Sequence, residues 1–327
     1  MFPPDKLIRA ELQRTKKITL CPCLPSPAPF LEVQAGGICQ TDRKAFQIPP
    51  LAMTLPRVLG HEVCGRLSRA VNGVKKGSRV ALWPALTCGV CRFCKSGREN
   101  LCREIQLFGC HLDGGFADTI CLPENLINRL VCLKLPESLS FSQAVFAEPL
   151  GCVLHGLKKI GNQPPSSILI IGAGLMGRLA ARTTRIIWPG CRISIYDNNP
   201  KRLEKCREQG TDKDPGPAET VFIAASARKA FYFGLQRLEP GGTIILFSGF
   251  RKDEKEINLN HNLLHQREQR LIGAYGCCPA DMKQALELMA GNDVRVNDLI
   301  SRIIPLKELE VELARKLQTD DYKTIIK

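Results

Sequence analysis

The stretch Ile168-Leu169-Ile170-Ile171-Gly172-Ala173-Gly174-Leu175-Met176-Gly177 governs how the rest of the chain is read. Four consecutive apolar residues make a buried strand, and a G-x-G-x-x-G turn follows before a helical pattern runs from Leu175 to Ile187. The glycines permit a tight turn, close approach to a pyrophosphate and close helix packing, while the helix N-terminus offers amides to phosphate charge. The next apolar run, Ile193 to Tyr196, ends in Asp197, 20 residues after Gly177. An acid there accepts hydrogen bonds from the adenosine ribose and repels a 2′-phosphate. Gly172, Gly174, Leu175, Met176, Gly177 and Asp197 are therefore the expected cofactor residues. NAD is the expected dinucleotide, and Arg202, with Lys201, keeps NADP as second choice.

Strand and helix patterns alternate onward from this turn. A helix is expected over Pro200 to Gly210, and strands over Thr220 to Ala225, Thr243 to Ser248 and Arg270 to Ala274. Such alternation predicts a doubly wound parallel sheet, a Rossmann-type α/β domain. Before Leu150 the chain is rich in Gly, Pro and Cys, with short apolar runs at Leu31 to Val33, Val58 to Leu59 and Arg79 to Trp83, the texture of an irregular β-rich domain. The change of texture falls between Leu150 and Pro165. After Gly276, a helix is expected over Ala280 to Met289, another over Leu306 to Gln318, and a closing strand over Tyr322 to Ile326.

Composition narrows the function. With 44% hydrophobic and 24% charged residues in 327, the chain is globular. The segment Met1 to Leu12 lacks the apolar core of a secretion signal, and the longest apolar run, Ile168 to Ala181, is broken by glycines, so a cytoplasmic protein without a membrane partner is expected. The formal charge of +14 is spread along the chain and only 6% of residues are aromatic, which argues against a nucleic-acid platform. Sixteen cysteines without an export signal point to metal binding before disulfides.

Cys88, Cys91, Cys94 and Cys102 form C-x2-C-x2-C-x7-C. Four thiolates in so short a loop suit a closed tetrahedral centre, structural zinc first and an iron-sulfur centre second. A second group is open. Cys39, Thr41 and Asp42 supply a thiol, a hydroxyl and a carboxylate, and His61-Glu62 adds an imidazole beside another carboxylate. Mixed donors that leave one position vacant are what a catalytic zinc needs.

Gly37-Ile38-Cys39-Gln40-Thr41-Asp42, Gly60-His61-Glu62, the four-cysteine lobe, Asp113-Gly114-Gly115-Phe116-Ala117 and Glu148-Pro149-Leu150-Gly151-Cys152 occur in order along the chain. In this the sequence resembles the zinc-containing medium-chain dehydrogenases of the alcohol dehydrogenase superfamily, the sorbitol and threonine dehydrogenase branch above all. The resemblance implies a GroES-like catalytic domain over 1–152 and 280–327 and a Rossmann domain over 153–279. It makes Cys39, His61 and Glu148 ligands of a catalytic zinc, with Cys152 the competitor for the place of Glu148, and gives two zincs per chain. It makes Glu62 a carboxylate able to approach the metal, Asp42 the orienting partner of His61, and Thr41 the residue that passes the substrate proton toward solvent. The implied reaction is hydride transfer between a secondary alcohol, polyol or amino alcohol and NAD, giving a ketone, in a homodimer or homotetramer. One departure stands out: the relatives place a further strand and helix after the helix that follows Asp197, and only about ten residues separate Gly210 from Thr220 here. A shortened sheet on the adenine side is expected, with Gly210 to Ala218 a loop. That loss lowers the expected cofactor affinity and makes a non-catalytic zinc scaffold the alternative function. Phe46, Phe108, His111 and Phe116 are candidates either for a substrate pocket or for the core.

Overall fold

The computed structural model describes residues 7–23, 29–122, 124–207, 215–250, 254, 256–318 and 321–327. The chain divides into two compact units, one made of 1–148 with 278–327 and the other of 149–277.

The first unit is β-rich. Its larger sheet runs in the order Cys132–Lys134, Arg79–Leu82, Glu62–Leu67, Pro29–Gly37, Lys323–Ile326 and Ile300–Ile304, with Thr119–Cys121 also paired to Pro29–Gly37. A smaller sheet joins the hairpin of Ile8–Arg14 and Lys17–Pro22 to Arg57–Val58. The chain end thus returns to the middle of the large sheet, antiparallel to Pro29–Gly37 with Ile325 opposite Gly37. Two apolar clusters stabilise this unit. One gathers Leu12, Phe46, Leu59, Phe116, Leu309 and Ile326, and the other Phe30, Leu31, Val63, Leu82 and Phe108. Phe46, Phe108 and Phe116 are at most 2% exposed, so they fill the core. The ring of His111 accepts a hydrogen bond from the Leu107 N–H at 3.0 Å and closes its own loop.

The second unit carries five parallel strands in the order Arg192–Tyr196, Ser167–Ile171, Ala218–Ile223, Leu238–Leu246 and Arg270–Gly273. Every residue of Ser167–Ile171 is buried, as a central parallel strand requires. Leu169, Ile171, Val221, Ile223, Phe231 and Ile244 form its core on one side. Arg192–Tyr196 is the edge on the adenine side among the described residues, so the sheet is short where the sequence leaves no room for a further strand and helix. Residues 208–214, most of the expected loop and the end of the expected helix, lie outside the described residues.

One helix differs from expectation. Leu306 to Gln318 forms a 3-10 turn over Leu306–Glu308 and an α-helix over only Leu309–Ala314. Arg315 leaves the helix with extended backbone, and its guanidinium turns back to Glu312 at 2.9 and 3.0 Å and reaches Asp321 at 2.7 Å. Side-chain chemistry ends the helix earlier than the apolar pattern indicates. Among the described residues no helix is long and apolar enough to cross a membrane.

Candidate active site

Cys39 is the N-cap of helix Gln40–Gln47, and Asp42 is its N3 residue. One Asp42 oxygen accepts the Cys39 N–H at 2.8 Å, so a capping box fixes the cysteine at the start of the helix. The other Asp42 oxygen accepts the Gly60 N–H at 3.1 Å and lies 3.5 Å from His61 Nδ1. A single carboxylate, 2% exposed, thereby joins the cysteine turn to the histidine loop and turns the other ring nitrogen toward other partners. Burial alone would favour a neutral imidazole. Asp42, as charge and acceptor, and then Cys39 hold its basicity well above that of a free histidine. An environment that stabilises a positive ring also stabilises a cation bound to it.

The ligand atoms of Cys39, His61 and Glu62 lie within 4.8 Å of one another. A soft sulfur, an imidazole and a carboxylate at that spacing fit the coordination chemistry of zinc. Thr41 Oγ1 lies 3.6 Å from Cys39 Sγ. Glu148 stands in the first turn of helix Ala147–Lys158, outside that three-residue cluster, and Cys152 follows four residues later on the same helix.

Lys323, which the motifs did not single out, completes the surroundings. Its ammonium donates to both oxygens of Glu62, at 2.7 and 2.5 Å, and to the Ile38 carbonyl at 3.4 Å. Lys323 and Glu62 are 2% and 1% exposed. Burial would lower the lysine pKa, but Glu62, then Cys39 and Glu148, raise it, so the ammonium is retained. The sequence carried only a weak signal for this residue: a lysine beside Thr324 in the short closing strand.

The four-cysteine lobe is tightly drawn. Cys91 and Cys94 sulfurs are 3.5 Å apart, Cys88 and Cys102 3.6 Å, and Cys88 and Cys94 3.9 Å. Sulfurs about 2.3 Å from a central zinc sit about 3.8 Å from one another in a tetrahedron, so the four fit that ion. The Cys91 N–H points at the Cys88 sulfur at 3.3 Å and the Cys88 N–H at the Cys102 sulfur at 3.4 Å. Hydrogen bonds, that of the Cys94 backbone foremost, draw the Cys91 thiol down, while burial and then Cys91 push the Cys94 thiol up.

In the second unit the glycine turn follows Ser167–Ile171 and helix Leu175–Ile187 begins at its N-cap, Gly174. Gly172 has φ +112°, and a Cβ on Gly177 would stand 1.7 Å from the Gly172 carbonyl oxygen. No atom lies within 4 Å of a Cβ built on Gly174, which leaves room for a phosphate at the helix start, beside Leu175 and Met176. Asp197 accepts the Ala173 N–H and the Asn199 N–H, each at 2.8 Å, so its carboxylate is fixed next to the turn. Arg202 Nη1 lies 4.0 Å from it.

Comparison with known proteins agrees with this arrangement. Residues 30–137 match the alcohol dehydrogenase GroES-like domain. An uncharacterised zinc-type alcohol dehydrogenase-like protein of Haemophilus influenzae is 29% identical over 86% of this chain and 85% of its own. The L-galactonate-5-dehydrogenase of Escherichia coli is 27% identical over the same shares, 86% and 85%. A chain from Sinorhizobium meliloti, solved bound to NADP, superposes with TM-score 0.86 at 26% identity, covering 98% of this chain and 99% of that one. The fold and the paired sites define a two-domain dehydrogenase architecture, GroES-like and Rossmann-like. Residues 30–137 thus carry an alcohol dehydrogenase GroES-like domain, and along most of its length the chain is similar to zinc-type alcohol dehydrogenases.

Proposed function

We propose that this protein is a zinc-dependent, NAD-linked dehydrogenase that interconverts a secondary alcohol, polyol or amino alcohol with its ketone. The observation that carries the proposal is the mixed-donor cluster of Cys39 and His61, backed by Asp42, in a chain that also has a complete glycine turn with its acid at Asp197. The polyol-acid activity named for the Escherichia coli relative supports the substrate class.

Cys39, His61 and Glu148 would hold the catalytic zinc, and Cys88, Cys91, Cys94 and Cys102 a structural one. The lysine contact of Glu62 favours Glu148 for the third place, because a carboxylate already neutralised by a buried ammonium is a poorer ligand. When bound, zinc acts as a Lewis acid that makes the alcohol more acidic, and the nicotinamide accepts the hydride. Asp42 keeps the imidazole of His61 in one orientation. Thr41, close to the Cys39 sulfur, relays the substrate proton toward solvent. The carboxylate of Asp197 repels a 2′-phosphate and so favours NAD. Arg202 would meet that phosphate, and the NADP of the Sinorhizobium meliloti structure makes the comparison of both cofactors part of the test.

Zinc content of the wild type and of Cys39→Ser, with reduced cofactor followed across polyols, secondary alcohols and amino alcohols, tests the proposal. Two zincs falling to one, with turnover abolished, is the expected result. One zinc in both proteins and no turnover would overturn it in favour of a zinc-binding scaffold.

A further inference from the structure

The closing strand Lys323–Ile326 has four residues, and consecutive side chains of a strand leave on opposite faces. Lys323 reaches the Glu62 carboxylate and the Ile38 carbonyl. Thr324, on the other face, donates its hydroxyl to Glu312 at 3.0 Å, while its carbonyl accepts the Ile38 N–H at 2.9 Å. Glu312 is 4% exposed and collects further donors: Arg43 Nη2 at 2.6 Å and Arg315 Nε and Nη2 at 2.9 and 3.0 Å. Arg43 also donates to the Glu312 carbonyl. Arg43 directly follows Asp42 on the helix that Cys39 caps. Arg315 binds Asp321, two residues before Lys323.

A strand this short has few ladder bonds to fix its register. A slip of one residue would reverse its faces, turning Lys323 toward Glu312 and Thr324 toward Glu62. The two guanidiniums around Glu312 oppose that slip, since a lysine delivered among them would meet two like charges.

We infer that Glu312 is a positioning residue for the open metal site. It fixes the register of the closing strand and seats the helix of Cys39, and so brings Lys323 onto Glu62. The inference rests on the dehydrogenase function proposed above. Held by Lys323, Glu62 stays an ion-pair partner. Its carboxylate already lies within ligand range of Cys39 and His61, and once released from Lys323 it becomes an extra donor that fills the vacant position.

Cobalt(II) reconstitution of the full chain provides the test, because the visible spectrum of this ion reports thiolate ligation and coordination number. Bands of the open site are assigned by their loss in Cys39→Ser, and the four-thiolate bands of the lobe serve as internal control. Glu312→Gln and Thr324→Val are expected to shift the open-site cobalt bands to the weaker absorption of a higher coordination number, as the freed carboxylate joins the metal. They should also abolish the band shift that azide causes in the wild type, with the lobe unchanged and Thr324→Ser behaving as wild type. Open-site bands and azide response equal to wild type in both variants would overturn the inference. Equal losses at the lobe and the open site would also overturn it, as general loosening of the unit. Absence of any Cys39-dependent band in the wild type would overturn the dehydrogenase proposal itself, and this inference with it.

Discussion

At the residue scale the pair of Lys323 and Glu62 is buried on both sides. Both groups are withdrawn from water, so each depends on the other for compensation. Lys323→Met is expected to destabilise the protein by about 3–5 kcal/mol, because it strands a buried carboxylate. The double variant Lys323→Met, Glu62→Gln should recover much of that loss, and urea unfolding of both variants gives the comparison. Gly177 is constrained by space. With a Cβ 1.7 Å from the Gly172 carbonyl, Gly177→Ala must push the helix away from its strand. The expected loss is about 1–3 kcal/mol together with weaker NADH binding, read by thermal unfolding and by fluorescence titration. Unchanged NADH affinity would show that the turn does not contact the dinucleotide.

At the element scale the cofactor strand is an edge. The Asp197 carboxylate at its end is held by two backbone amides, so it is oriented although no further strand flanks it. In the role proposed for Asp197, Asp197→Ala removes both a ribose acceptor and a charge that would face a 2′-phosphate. The ratio of NAD to NADP affinity should fall by about tenfold or more, the worth of one charged hydrogen bond. Equal affinity changes for the two cofactors would contradict that role. The short edge was legible in the spacing between Gly210 and Thr220, because too few residues separate them to build another strand and helix. The early end of the helix at Ala314 was not legible. Apolar spacing continues past it, and only the pull of Glu312 and Asp321 on Arg315 turns the chain.

At the scale of the whole molecule, stability is expected to follow pH and metal content. The Glu312 carboxyl is pushed up by burial but pulled further down by Arg315, Arg43 and Thr324, so it ends below its ordinary value of 4.5. Asp321 is likewise held below 3.8, chiefly by Arg315. A depressed folded-state pKa contributes stability that is complete above the unfolded-state value and is lost as pH falls through the folded one. This contribution should therefore be constant near neutrality, begin to fall as pH drops below the ordinary values of 4.5 and 3.8, and be lost only as pH passes below the lowered folded-state values, and Glu312→Gln should flatten that acid limb in melting temperatures recorded against pH. Chelation belongs to the same scale. Stripping the metal from Cys88, Cys91, Cys94 and Cys102 should lower the melting temperature, because binding energy at a structural site is folding energy. An unchanged melting curve after verified loss of that metal would refute a structural role.

The sequence by itself determined whatever depends on neighbours along the chain. The glycine turn, the cysteine spacing from Cys88 to Cys102 and the capping box from Cys39 to Asp42 are local, and local spacing is enough to bring their atoms together, whereas Asp197 reaches the turn through the pairing of two adjacent strands. It also carried the order of motifs on which the family resemblance rests. The tertiary structure alone decided that Phe46, Phe108 and Phe116 belong to the core, that Lys323 neutralises Glu62, and that Glu312 gathers Arg43, Arg315 and Thr324. Lys323 meets a residue 261 positions away, and Arg43 one 269 away. Pairing over such separations leaves no periodic trace in the chain. It is fixed only when the closing strand takes its register in the sheet, because that register selects which face each side chain occupies.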